Sequence, residues 1–389
     1  MQKFLYALSA ALVLWGAFLC WGEHSETRPE AILALAAERR ATKSVVTRAP
    51  VAEEGNRWLP YFEALALARE IEAEDPLEGS LLYRVFQVEG MVDEESPNLS
   101  IAEEEALLED PRVVRAIELL EAGSRLPLAS WESALKASSR TPEEAEELLY
   151  GTPLLRFLVS SATQKHLREG RFERVVDLME ALATLSKDME AQRSHIAEAM
   201  AITLGLWSAP KANVWNDLHA LDSPESRLRL DGILQDWEAA FLNVSETLEA
   251  GFEETLTNLE SAIESGIQDG GYSARGYLQC LAFEEELQRI GRLDLVDAQE
   301  ALAARSGHDE ELELLCLTLD ARVGYRKTLL TGLRTIRFGN AHLMPEESRV
   351  RIEPALFGGT FEVAESEGRT LFRYRNAEGE IERELAPRD

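Results

Sequence analysis

A chain of 389 residues, 45% apolar and 28% charged, is long enough for two or three domains or one extended helical array, and too charged to be a polytopic membrane protein. Its 70 acidic against 40 basic side chains give a formal net charge of −30. Such a surface repels phosphate backbones and anionic lipid headgroups, so no nucleic acid is expected among its partners.

The first element is an apolar run. After Met1-Gln2-Lys3, residues Phe4 to Trp21 carry no charge, and a helix of that length reaches about 27 Å, enough to span a bilayer core. Lys3 precedes the run and Glu23 and Glu26 follow it, which keeps the N-terminus cytoplasmic and sends the remainder out. Residues 1–22 are therefore expected to be a single-pass anchor in a bacterial-type inner membrane, with the main body periplasmic or extracytoplasmic. A cleaved signal competes, but Gly16-Ala17-Phe18-Leu19-Cys20-Trp21-Gly22 lacks the small-residue cleavage pattern. A lipid anchor at Cys20 competes too, against the bulky Phe18-Leu19 before it. All three readings imply export.

Residues 23–57 read as a helix and a linker. Thr27-Arg28-Pro29-Glu30 combines a capping box with an N-terminal proline and opens a helix to about Lys43. Residues 58–345 read as a helical ectodomain. Ser100 with Glu103, Asp110-Pro111, Thr141-Pro142-Glu143-Glu144, Thr152-Pro153 and Ser223-Pro224 are helix starts. After Asp110-Pro111, residues Val113, Val114, Ile117 and Leu120 form the expected apolar stripe, with Gly123 as its stop. A helix fits Pro153 to Glu169, Gly170 turns the chain, and Val175, Leu178, Met179, Leu182 and Leu185 then recur at helical spacing. Ile196, Met200, Leu204 and Trp207 continue the pattern; short loops between such helices imply antiparallel hairpins. Residues 224–265 read as one long helix or two in line, followed by helices at 274–290, 293–306 and about 309–336. In residues 346–389 the period changes: Phe361 and Val363, then Thr370, Phe372 and Tyr374, then Ile381 and Leu385 alternate as in a small three-stranded β-meander.

The expected fold class is thus all-α, with antiparallel helical hairpins, a small C-terminal meander and an N-terminal transmembrane helix. Gly170-Arg171-Phe172 and Gly291-Arg292-Leu293 each open a helix after a helix, which resembles the tetratricopeptide repeat. Val175 stands where that family has alanine, and no 34-residue period runs through the chain, so the expectation is TPR-like packing in an irregular solenoid or bundle. A wider resemblance rests on Asn56-Arg57-Trp58-Leu59-Pro60-Tyr61-Phe62-Glu63-Ala64-Leu65, on Arg115 to Trp131, on the hairpin Leu167 to Leu204, and on Leu371-Phe372-Arg373-Tyr374. Residues 1–210 resemble uncharacterised exported bacterial proteins with a single N-terminal membrane helix and a helical body. The resemblance implies no assigned activity and no catalytic residue, and residues 224–330 match it less well.

The chemistry-bearing motifs are missing. No His-Glu-x-x-His, Glu-x-x-His, Cys-x-x-Cys, Gly-Lys or Gly-x-Ser-x-Gly occurs, which removes zincins, di-iron bundles, P-loops and nucleophile elbows. His195 and Glu198 lie one helical turn apart, with His166 on the preceding helix; helix-start placement outweighs a metal site for them. Glu144 and Glu254 stand for the many glutamates that offer a catalytic acid without a surrounding motif. Asp93-Glu94-Glu95 and Glu103-Glu104-Glu105 lack the alternation of a calcium loop and read as solvated faces. Cys280 and Cys316 form either a disulfide or, by preference, two buried thiols. Trp15 and Trp21 suit the membrane interface, while Trp58, Trp131, Trp207, Trp215 and Trp237 read as core, with a stacking groove as the alternative. No cofactor and no metal are expected, and catalytic residues are unknown. The leading expectation is a membrane-tethered scaffold that binds another envelope or exported protein. The alternative is an envelope hydrolase acting on cell-wall polymer through a carboxylate pair.

Overall fold

The computed structural model describes residues 29–42, 55–74, 101–192, 195–205, 221, 223–265, 274–306 and 312–344, and the strand segments 355–356, 359–366, 369–376 and 379–385. The apolar run 4–21 with Cys20, the linker as far as Glu54, Asp93-Glu94-Glu95, Trp207 and Trp215 lie outside them. Among the described residues no helix is long and apolar enough to cross a membrane.

The helices are α1 (Pro29–Thr42), α2 (Trp58–Ala73), α3 (Ile101–Leu108), α4 (Pro111–Ser124), α5 (Trp131–Ser138), α6 (Pro142–Leu149), α7 (Thr152–Arg168), α8 (Phe172–Glu190), α9 (His195–Gly205), α10 (Pro224–Phe241), α11 (Val244–Glu264), α12 (Ala274–Ile290), α13 (Leu295–Ser306) and α14 (Glu313–Leu343). Local chemistry sets many of their starts. The Asp110 carboxylate accepts from the Arg112 amide at 2.8 Å ahead of Pro111. Thr141 and Glu144 close a reciprocal capping box, at 3.2 and 2.9 Å. Ser223 accepts from the Ser226 amide at 3.2 Å. Between α7 and α8, Gly170 takes φ +70°, and the amides of Gly170 and Arg171 return to the carbonyls of Leu167 and His166 at 3.0 and 2.8 Å. That Schellman turn needs a residue free of Cβ strain. The run 224–265 is two helices, broken at Leu242-Asn243 without glycine or proline, and α14 extends a full turn and more beyond the expected end near 336.

The helices pack in contacting pairs within two compact units. The first unit holds α1, α11, α12, α13 and α14 as far as Val323. Here Arg39 of α1 bridges Glu253 of α11 at 2.6 Å and Glu284 of α12 at 2.7 Å, its guanidinium 5.3 Å over the Phe252 ring. Cys280 and Cys316 are buried thiols. The second unit holds α2–α10, the rest of α14 and the strands. Its core includes Trp58, Tyr61, Phe62, Trp237 and Phe241, all essentially without exposed surface. A polar relay ties three helices inside it: Trp237 Nε1 donates to Ser186 Oγ at 2.9 Å, and that hydroxyl donates to the Ala201 carbonyl at 2.8 Å.

The α4 stripe differs from expectation. Val113, Ala116, Leu119 and Leu120 are buried, whereas Val114 is 42% exposed. Gly123 lies inside the helix rather than ending it, because a methyl group there would stand 2.6 Å from the Tyr61 ring of α2. The close approach of α2 and α4, not a stop, is its use.

The backbone of the last segment pairs antiparallel in the order β1-β2-β3-β4, with β1 Ala355–Leu356, β2 Gly359–Ser366, β3 Arg369–Asn376 and β4 Gly379–Leu385. Val363 faces Phe372 and Tyr374 faces Ile381 in register. The two-residue β1 comes in addition to the three expected strands.

Two glycines of the second unit separate close approach from mere flexibility. A Cβ at Gly151 would meet the Leu65 carbonyl oxygen at 2.6 Å, whereas one at Gly232 meets nothing within 4 Å. Gly151→Ala is expected to cost roughly 1–3 kcal/mol in urea unfolding, and Gly232→Ala to add about 0.5–1 kcal/mol by relieving helix-interior glycine.

Candidate functional site

The glutamate of the metal reading has another partner. Glu198, in the first turn of α9, is 4% exposed, and its carboxylate accepts from Arg326 Nε at 3.0 Å. Glu190, at the end of α8, pairs with the same guanidinium. Arg326 also donates to the Phe241 carbonyl at 3.2 Å and lies 5.3 Å over the Phe241 ring. A guanidinium therefore stands where a cation beside Glu198 would stand. Burial pulls its pKa down to about 9, which still leaves it charged at neutral pH. His166 is neutral: burial, then Arg171 and Arg174, lower its pKa to about 4. Its Nδ1 is buried without a hydrogen bond, 3.7 Å from Glu169. The His195 side chain lies outside the described residues. Among the described residues no three His, Cys, Asp or Glu groups converge as a metal site would require.

Glu144 and Glu254, named from sequence as carboxylates without a motif, have structural partners. Glu144 closes the α6 capping box, and Glu254 pairs with Arg322 within the first unit. Glu103 and Glu105 are exposed on α3, while burial raises the pKa of Glu104 against the pull of Arg168. Deeper in the second unit, Arg337 meets Asp231 at 3.1 Å and Glu238 at 2.8 Å, and Arg334 meets Glu238 at 2.5 Å.

The stretch beginning at Asn56 forms a buried knot. The Asn56 amide donates to the Ser130 carbonyl at 2.7 Å and its oxygen accepts from the amides of Ser130 and Trp58 at 3.1 and 3.2 Å. Arg57 donates to the Leu126 carbonyl at 2.6 Å and to Asp188 of α8 at 3.1 Å. Burial raises Asp188 from its ordinary 3.8 to about 6, with Arg57 and Lys187 opposing. Burial, then Asp188, raise the Tyr61 phenol well above its usual value. The groups acting on Asp188 are Arg57, Lys187 and Tyr61; no second carboxylate is among them. The Nε1 of Trp58 is buried with no hydrogen-bond partner.

Trp58 begins an aromatic cluster. Trp131, at the start of α5, packs edge-on against it at 4.6 Å and against Phe62 at 5.1 Å. Trp58 and Phe62 are core, and the half-buried Trp131 packs against both rings. On the outer side of this cluster lies a shallow concavity of about 400 Å³, lined by Glu132, Leu135, Lys136, Ser139, Arg140 and Pro142. Ser139 ends α5 with φ 55°, a left-handed conformation unusual for a residue with a Cβ. It turns the chain so that Arg140 lies 5.8 Å over the Phe62 ring. The Arg140 Nε is buried with no hydrogen-bond partner. Lys136 and Arg140 were not singled out from sequence. Their signal is two cations four residues apart, in a chain where cations are the minority.

No protein-family model, no curated protein and no solved structure matches this chain.

Two measurements follow from the buried charges. Arg326→Met leaves Glu190 and Glu198 facing apolar surroundings and is expected to cost roughly 3–5 kcal/mol in urea unfolding, part of it returned by adding Glu198→Gln. Asp188 holds its proton more tightly folded than unfolded. Its contribution is therefore full below about pH 3.8 and is lost as pH rises through about 6. Asp188→Asn should gain on the parent by about 2 kcal/mol between pH 4 and pH 7.5; a pH-independent difference would mean that Asp188 titrates as an ordinary carboxylate.

Proposed function

We propose that the chain is a membrane-tethered helical scaffold that binds another exported or envelope protein. In this reading the first 22 residues anchor it with the N-terminus cytoplasmic. The body then lies outside the membrane, and TPR-like antiparallel hairpins present its binding surface. The observation that carries the reading is the shape and lining of the α5–α6 concavity: open, lined by the apolar Leu135 and Pro142 beside Lys136 and Arg140, and holding one carboxylate, Glu132. Protein-binding surfaces take this form, with an apolar centre and a polar rim. A glycosidase cleft needs two carboxyl groups facing each other across a substrate.

One observation favours the hydrolase alternative. Asp188, at about 6, sits in the range of a general acid. It is only 8% exposed, bound to Arg57 and without a second carboxylate acting on it, so it has neither access nor a catalytic partner.

Crosslinking of the full-length chain in native membranes, followed by mass spectrometry, tests the scaffold. One protein enriched near stoichiometry is the expected outcome. No enriched protein removes the scaffold reading and directs attention to cell-wall polymers as substrates. In the same preparation, deleting residues 1–22 should release the body from the membrane fraction; retention there would contradict the anchor.

A further inference from the structure

The described arginines of this acidic chain are largely neutralised in place. Arg57, Arg112, Arg174, Arg229, Arg326 and Arg337 each meet at least one carboxylate. Among the described residues Lys136 and Arg140 make no ion pair, in a chain that carries 70 carboxylates. The two lie four residues apart, on either side of the left-handed Ser139 that ends α5, and both line the same concavity.

The Arg140 guanidinium lies over the Phe62 ring, its Nε is buried, and that donor has no acceptor. A buried donor left unmet costs free energy that a ligand can recover by supplying the acceptor. Guanidinium presents a rigid fork of donors that matches a carboxylate with two parallel hydrogen bonds, and it has already lost part of its rotamer freedom here. Lys136 adds a second positive charge beside it. Leu135 and Pro142 supply an apolar floor, which an ion alone would leave uncovered.

We infer that the α5–α6 concavity is a docking site for a short peptide segment of the partner protein. In it, an Asp or Glu carboxylate meets Arg140 and Lys136, and an adjoining apolar side chain covers Leu135 and Pro142. The inference rests on the scaffold reading and names the partner's chemistry. Glu132, on the rim, disfavours an unbroken acidic run, so the segment mixes carboxylates with apolar residues. The net charge of −30 opposes any acidic partner at a distance, which makes binding depend on contact chemistry and not on steering.

The test uses the full-length chain in detergent and a fluorescent octapeptide library in which Glu alternates with Leu or Phe. A matched library has Gln in place of every Glu. The expected result is measurable binding of Glu peptides, with the Gln library weaker by about tenfold, the scale of one lost charge-assisted contact. Lys136→Gln with Arg140→Gln should lose the same factor, and Arg140→Lys should lose part of it by keeping charge without the fork. Thermal unfolding of Arg140→Lys and of the double variant confirms that the fold survives; Arg140→Lys carries the test if the double variant unfolds. The idea is overturned if Glu and Gln peptides bind alike, if neither binds, or if Arg140→Lys leaves binding unchanged. It is also overturned if only vesicles with anionic phospholipid bind, since an anionic surface would then be the ligand. The membrane crosslinking separates this failure from failure of the scaffold: a partner captured equally by the parent and the double variant keeps the scaffold and removes this site.

Discussion

A carboxylate enters a protein interior only if a cation comes with it, and this chain has far more carboxylates than cations. Three arginines of α14 within the second unit meet that constraint. Arg326, Arg334 and Arg337 lie on one face of the helix by their spacing of eight and three, and they reach Glu190, Glu198, Asp231 and Glu238. Such pairs add little net stability over well-packed apolar residues, while losing one partner is costly. Their effect is therefore mainly on register: a helix shifted by one turn would leave buried carboxylates uncompensated on two neighbours. Arg57 with Asp188, and Arg174 with Glu121 at 2.5 Å, apply the same rule to α8.

That rule gives Lys136 and Arg140 their meaning. An arginine that satisfies the interior is spoken for. One that is stacked, partly buried and still unmatched is a local surplus of positive charge on a negative body. The α5–α6 concavity combines this surplus with apolar lining from Leu135 and Pro142, a pairing of arginine with apolar contact that protein-binding hot spots use. The hydrolase alternative asks for the opposite arrangement, two negative groups across an open cleft.

The parts of the fold legible in sequence were those written in neighbouring residues. Asp110-Pro111, Thr141 with Glu144, and Ser223-Pro224 name their helix starts through short-range hydrogen bonds, and Gly170 names its turn through backbone freedom. Features set by distant residues were not legible. Gly123 reads as a helix stop until Tyr61 is seen against it. Val114 belongs to the apolar period of α4 yet faces outward, because the helix turns Ala116 and Leu119 to its partners. The break between α10 and α11 has only Asn243, a weak helix former, to announce it. Glu198 looked like a ligand for the same reason it is an ion-pair partner; the choice between a metal and Arg326 lies 128 residues further along the chain. The concavity was illegible because its cations matter by what fails to pair with them.

The helices that carry the concavity have eight residues each. Two turns are too few to hold a helix in water, so α5 and α6 keep their form through packing, both on α2 and α6 also on α9. The Asn56 knot clamps the start of α5, through Ser130, and Ser139 spends backbone strain at its end. Segments of this kind open at lower free energy than the long helices around them. The surface best equipped to receive a partner is thus also a patch of low local stability, able to adjust its outline to what it grips without disturbing the ion-paired interior.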